Sequence, residues 1–123
     1  MVLSYRDLRV WQESMDFVTC VYRATEGFPK SEIFGLCAQI RRAVVSVPSN
    51  IAEGAARKGR KELMNFLHIA RGSLAEVITQ LEIAKRLGFL SEESFQSLAE
   101  DGEKIAKMIN SLINSLNRRE DWT

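Results

Sequence analysis

The chain has 123 residues, 46% of them hydrophobic and 27% charged, with two prolines and a net charge of +1. This is a globular balance, long enough to bury a core without metals or disulfides, and it excludes a disordered chain. No apolar run reaches the ~18 residues that would suggest a membrane span, and the opening MVLSYRDLRVWQE becomes charged too early for a secretory signal, so a cytoplasmic protein without membrane attachment is expected.

Four helices account for nearly all of the chain. Ser4 with Asp7 three residues on resembles a capping box, with Asp in place of the usual Glu. Leu8, Trp11, Met15, Val18 and Tyr22 then step by three and four and predict the core face of a first helix. Gly27-Phe28-Pro29 ends it, and Ser31 is placed to cap the second. Pro48 falls inside the second helix, where it removes a backbone donor and predicts a kink.

The third helix has the cleanest pattern, Leu63, Leu67, Ala70, Leu74, Val77, Leu81 and Ala84, a heptad seam closed by Arg86-Leu87-Gly88. Ser91 caps the fourth, with Glu92 and Glu93 in the first turn, where the helix dipole favours anions. Its seam runs Phe95, Leu98, Gly102, Ile105, Ile109, Leu112 and Leu116. Short connections make neighbouring helices antiparallel. The expected fold is all-α, one up-down-up-down four-helix bundle domain over residues 1–123. Cys20 and Cys37 lack ligand spacing and read as buried thiols.

The segment Gln39–Lys61 stands apart. Ile40, Val44, Val47 and Ile51 form one apolar face, and Val45, Pro48, Ala52 and Ala56 widen the arc beyond what one core contact needs. An arc that wide predicts burial on two sides, with Val45, Pro48, Ile51, Ala52 and Ala56 at a contact with another subunit. The same segment holds six cations (Arg41, Arg42, Arg57, Lys58, Arg60, Lys61) against Glu53, a net +5. Residues 91–123 hold four cations against seven anions, a net −3. Such an uneven layout can steer an anionic partner or pair one subunit with the next.

Catalytic constellations are missing from the pattern. A carboxylate-bridged di-metal bundle needs two Glu-x-x-His pairs, and this chain has one histidine, His68, preceded at three residues by Asn65. Bundle ribonucleases that leave four to six residues between Arg and His on one helix are not matched either, since seven residues lie between Arg60 and His68. His68 reads as a boundary packing residue. No nucleophile triad and no phosphate-binding glycine loop can be read, so neither enzyme, metal site nor cofactor is expected. Ser46, Ser49, Asn50 and Glu53 could form a polar pocket or a nucleic-acid contact. They could equally satisfy backbone groups freed by Pro48 or bond across a helix interface, which we favour. The cluster Arg57–Lys61 has no aromatic within it to stack on bases, so its contacts would be to phosphates, sequence-independent and salt-sensitive.

With these residues in view, the chain resembles the four-helix bundle proteins encoded by intervening sequences in bacterial 23S ribosomal RNA genes. The likeness spans almost the whole chain and rests on YRDLRVWQESM (5–15), GFP (27–29), IRRAVVSVPSNIAEGAARKGRKE (40–62) and GSLAEVITQLEIAKRLGFL (72–90). It implies a left-handed bundle assembling as a cyclic homo-oligomer, a pentamer around a central opening. That family is similar in turn to the accessory variability proteins of diversity-generating retroelements, basic pentameric barrels that bind nucleic acid and a reverse transcriptase. The family has no accepted active site, so no catalytic residue carries over. Arg41, Arg42, Arg57, Lys58, Arg60 and Lys61 carry over as candidate nucleic-acid contacts. Two readings follow: a non-enzymatic ring that binds RNA or another nucleic acid through these cations, or a scaffold that docks to a polymerase-like protein such as a reverse transcriptase without touching nucleic acid.

Overall fold

The computed structural model describes residues 4–120 and contains, among those residues, four α-helices and no strand. They are α1 (Arg9–Thr25), α2 (Leu36–Ala56), α3 (Arg60–Arg86) and α4 (Glu92–Glu120). Asp121, counted above in the acidic C-terminal stretch, lies outside the described residues. No described helix is long and apolar enough to cross a membrane.

The ends of the helices follow from local chemistry. Ser4 and Asp7 make the expected reciprocal cap, but it closes a short 3-10 turn at Tyr5–Asp7, and α1 begins after Leu8. Ser31 does not cap α2. It lies in a second 3-10 turn, Lys30–Glu32, and α2 begins only after Gly35, where the Glu32 carboxylate accepts the Leu36 N–H at 2.9 Å. At the end of α3, Gly88 takes φ +82°, a region other residues avoid. The Phe89 N–H then reaches back to the Ala84 carbonyl at 2.9 Å and Gly88 N–H to that of Lys85 at 3.0 Å, the paired bonds of a Schellman cap. The Ser91 hydroxyl accepts the Ser94 N–H at 3.1 Å and starts α4 as its sequence predicts.

The helices pack in chain order, with α4 closing back on α1. Each neighbouring pair is antiparallel: Thr25 at the end of α1 meets Arg41 near the start of α2, and Glu13 early in α1 meets Lys104 midway along α4. This is the up-down-up-down order of a four-helix bundle. On α3, Leu67, Ala70, Leu74, Val77, Leu81 and Ala84 are all buried, and α4 contributes Phe95, Leu98, Ile105, Ile109 and Leu116, joined by Ile113. Each fully buried aliphatic side chain contributes roughly 1.5–3 kcal/mol by leaving water.

On α1 the core stripe is not the expected one. Val10, Ser14, Phe17, Val21 and Thr25 are buried, while Met15 is 41% and Tyr22 37% exposed. The stripe hides two hydroxyls because each bonds its own helix: Ser14 Oγ donates to the Val10 carbonyl at 2.7 Å and Thr25 Oγ1 to that of Val21 at 3.0 Å. The larger apolar stripe, Leu8 to Tyr22, is therefore turned sideways and half-covered. α2 continues through Pro48 as one helix. Cys20 is half-buried and Cys37 buried, both as free thiols.

Candidate nucleic-acid interface

The basic corner is shaped by how closely α3 returns along α2. Gly54 is buried in the last turns of α2, and a Cβ there would stand 2.7 Å from Phe66 Cβ and 3.4 Å from Leu63 Cα. Only hydrogen fits, so the helices come together and the turn between them needs just Arg57, Lys58 and Gly59. That turn concentrates the four cations 57, 58, 60 and 61.

They are not equivalent. The Arg57 guanidinium lies 3.7 Å from Glu53 and 3.7 Å from Glu62, and 5.3 Å from the centre of the Phe66 ring. The i,i+4 partner Glu53 is legible in the sequence, whereas Glu62 and Phe66 arrive from the next helix. Arg60 is half-buried, and its Nε is sealed from solvent without a hydrogen-bond partner among the described residues. Lys58 and Lys61 are exposed and pair with no carboxylate among the described residues. Gly59 offers α3 no side-chain cap, and the first backbone bond of the turn is Leu63 N–H to the Gly59 carbonyl at 3.1 Å. The N–H groups of residues 60–62 thus sit at an open helix N-terminus, whose dipole adds positive potential beside the lysines.

Arg41 and Arg42 stand apart from this corner, on the order of 20 Å away along α2 at 1.5 Å per residue. Arg41 is committed to α1: its Nε donates to Thr25 Oγ1 at 2.9 Å, a terminal nitrogen donates to the Tyr22 carbonyl at 3.1 Å, and the guanidinium lies 4.4 Å from the Tyr22 ring centre. Arg42 is exposed beside a small polar hollow with Ser46, Ser73 and Glu76. The six cations therefore fall into two groups, and only the corner gathers several of them.

Of the polar residues of α2, Ser46 and Asn50 take the packing role, whereas Ser49 and Glu53 are exposed, Ser49 at the α1–α2 groove and Glu53 beside Arg57. Ser46 Oγ meets Ser73 Oγ across to α3 at 2.9 Å, and Asn50 Nδ2 donates to both the carbonyl and the hydroxyl of Ser46 at 2.8 Å. Of the residues expected at a subunit contact, Ile51 has no exposed surface. It serves the chain's own core, because the first face of α2 turns it inward with Val44 and Val47, and it presents nothing to a second subunit. Pro48 is buried but borders a groove between α1 and α2, with Val45 and Ala52 on the same side and Trp11, Met15 and Val18 opposite. Ala56 is exposed nearer the corner. This groove holds about 330 Å³ and is walled by the displaced stripe of α1.

His68 is exposed, not at a packing boundary, and its Nδ1 lies 2.9 Å from an Arg71 terminal nitrogen. The other terminal nitrogen of Arg71 donates to Asn110 Oδ1 at 2.8 Å, so this arginine ties α3 to α4. No group of three metal-ligating side chains occurs among the described residues.

The profile of the family described as 23S rRNA-intervening sequence protein matches residues 6–111. A crystal structure of a protein of unknown function from the S23 ribosomal protein family of Bacteroides thetaiotaomicron superposes with a TM-score of 0.79 at 25% identity. The match covers 85% of this chain and 95% of that one. No curated protein sequence matches the chain.

Proposed function

The chain belongs to the 23S rRNA-intervening sequence protein family, and from that premise we propose that it is a non-enzymatic, single-domain cytoplasmic protein that assembles as a cyclic homo-oligomer, a pentamer, and binds RNA through its α2–α3 corner. The observation that carries the reading is the pairing of two unengaged lysines, Lys58 and Lys61, with an uncapped helix start. Lys58 and Lys61 flank those free N–H groups in the chain, and ammonium groups with free N–H groups are the combination that takes phosphate oxygens. A single corner with two or three phosphate contacts binds weakly, and repetition around a ring adds avidity.

The test is fluorescence anisotropy of a labelled single-stranded RNA titrated with the full chain. Wild-type binding should weaken about tenfold between 50 and 200 mM salt if two or three phosphates are neutralised. Lys58→Glu with Lys61→Glu should abolish binding while far-ultraviolet circular dichroism stays unchanged. Unaltered affinity in that variant overturns the site. Lysines are the informative choice, because Arg60 is partly sealed into the fold and Arg57 already faces two carboxylates.

The scaffold reading is favoured by a different observation: Arg41 and Arg57 spend their charge within the chain. On that reading the protein docks to a polymerase-like partner and RNA leaves the anisotropy flat at near-physiological salt.

A further inference from the structure

Between α1 and α2 the chain holds a large aromatic ring in water. Phe34 is 96% exposed and Ile33 beside it 50%. The loop is not slack. The Glu32 N–H bonds the Pro29 carbonyl at 2.9 Å, Ile33 N–H that of Lys30 at 3.2 Å, and Gly35 N–H that of Glu32 at 3.1 Å. The Glu32 carboxylate then folds under to cap Leu36, and a Cβ on Gly35 would stand 2.8 Å from its Oε1. The hydrogen bonds that begin α2 thus also fix the backbone that displays Ile33 and Phe34. A pre-organised apolar knob loses little entropy when a partner covers it.

The same chain carries a receptor of matching character. Besides Tyr5 and Ser49, the α1–α2 groove is lined by Trp11, Met15, Val18, Val45, Pro48 and Ala52, with Met15 and Val45 41% and 40% exposed. None of the lining is charged, and the neighbouring cation, Arg6, is stacked 5.5 Å from the Tyr5 ring centre and 5.8 Å from that of Trp11. The larger groove between α1 and α4 is bordered by charge instead, by Arg9 and by Lys104 and Lys107, which pair with Glu13 and Glu103. Charge matching therefore assigns the uncharged knob to the α1–α2 groove. Phe34 cannot fill its own groove, because Val45 to Ala52 lie roughly 14–24 Å along α2 from its first residue at 1.5 Å per residue. A Phe34 side chain seated there would have to come from another copy of the chain.

We propose that Phe34, with Ile33, is the anchor by which one copy of this chain docks into the α1–α2 groove of the next. Knob and groove are different patches of one surface, so the contact is heterologous and repeats head to tail until it closes. An aromatic side chain buries about 150–250 Å², far below the ~1,200–2,000 Å² of a stable interface. A closed ring, in which each copy gives one knob and receives another, is the form in which so small an anchor is effective. The proposal rests on the self-association in the reading above and names its contact; RNA binding does not enter it.

Two measurements on the full chain test it. Light scattering across a concentration series should give a multimer for the wild type, and Phe34→Ala should raise the association midpoint at least tenfold with helicity and melting unchanged. Replacing Phe34 by the photoreactive analogue p-benzoylphenylalanine should, on irradiation, yield chain-to-chain adducts mapped by mass spectrometry to the peptides carrying Met15 or Val45. A wild-type monomer overturns both this proposal and the self-association reading. A wild-type multimer whose mass survives Phe34→Ala overturns this proposal alone, as do adducts that map elsewhere or fail to form.

Discussion

The α2–α3 seam and the α1–α4 seam are built from opposite materials. Along α2–α3 the side chains are small: Gly54 admits Phe66, Ala43 and Ala70 are buried, and Ser46, Ser73 and Asn50 bond one another where the backbones approach. Along α1–α4 the facing residues are long, with Leu8, Met108 and Leu112 bordering a groove of about 540 Å³. The ion pair that crosses this seam, exposed Lys104 to half-buried Glu13 at 3.6 Å, contributes on the order of 0–1 kcal/mol. Small residues let helices close until polar groups satisfy each other, whereas long flexible ones keep the backbones apart and leave surface for something else to cover.

Five substitutions would sharpen or break this contrast. The largest effect is expected from Ile51→Asp, which buries a carboxylate in a site with no solvent access. The cost should exceed ~3 kcal/mol, a large share of the roughly 5–15 kcal/mol available to a small domain. Leu8→Asp at the groove edge should cost much less, and equal losses in thermal melts would erase the distinction between the seams. Next, Gly54→Ala should destabilise by about 1–3 kcal/mol despite its gain in helix propensity, because the new methyl meets Phe66 Cβ and cannot be avoided by a rotamer change. Gly102→Ala on α4 meets side chain alone, Ile78 Cδ1 at 2.7 Å and Cγ1 at 3.3 Å, which can swing away, and urea unfolding should find it within ~1 kcal/mol of the wild type. The smallest effect belongs to Ser73→Ala, which removes one partner of the Ser46 hydroxyl while Asn50 keeps the other. A loss of about 0.5–1.5 kcal/mol in urea midpoint analysis is expected.

The helices themselves were legible because burial imposes a period on them, and on α3 the seven-residue repeat names the core nearly residue by residue. Two errors have clear causes. The stripe from Leu8 to Tyr22 outweighs its neighbour in apolar bulk, but Ser14 and Thr25 pass into the core at little cost once their hydroxyls bond to their own helix. α2 starts later than Ser31 predicts because its cap is a carboxylate four residues upstream of the capped N–H, with no cap at the adjoining residue. At the basic corner the sequence shows the cations and their count. It does not show that Glu62 and Phe66 attend Arg57, or that Arg41 is held by residues 16 and 19 positions away. Such partners are set by how helices meet, and no local pattern records them.

The three-residue turn behind Gly54 also has a kinetic meaning. Bringing α2 and α3 together closes a very short loop, and loop closure costs more chain entropy as the loop lengthens. Joining α1 to α4 closes nearly the whole chain, and its apolar contact is less complete. The α2–α3 hairpin is therefore where this chain can gain native contacts first at the least entropic cost, with proximity of sequence and intimacy of packing acting on the same pair of helices.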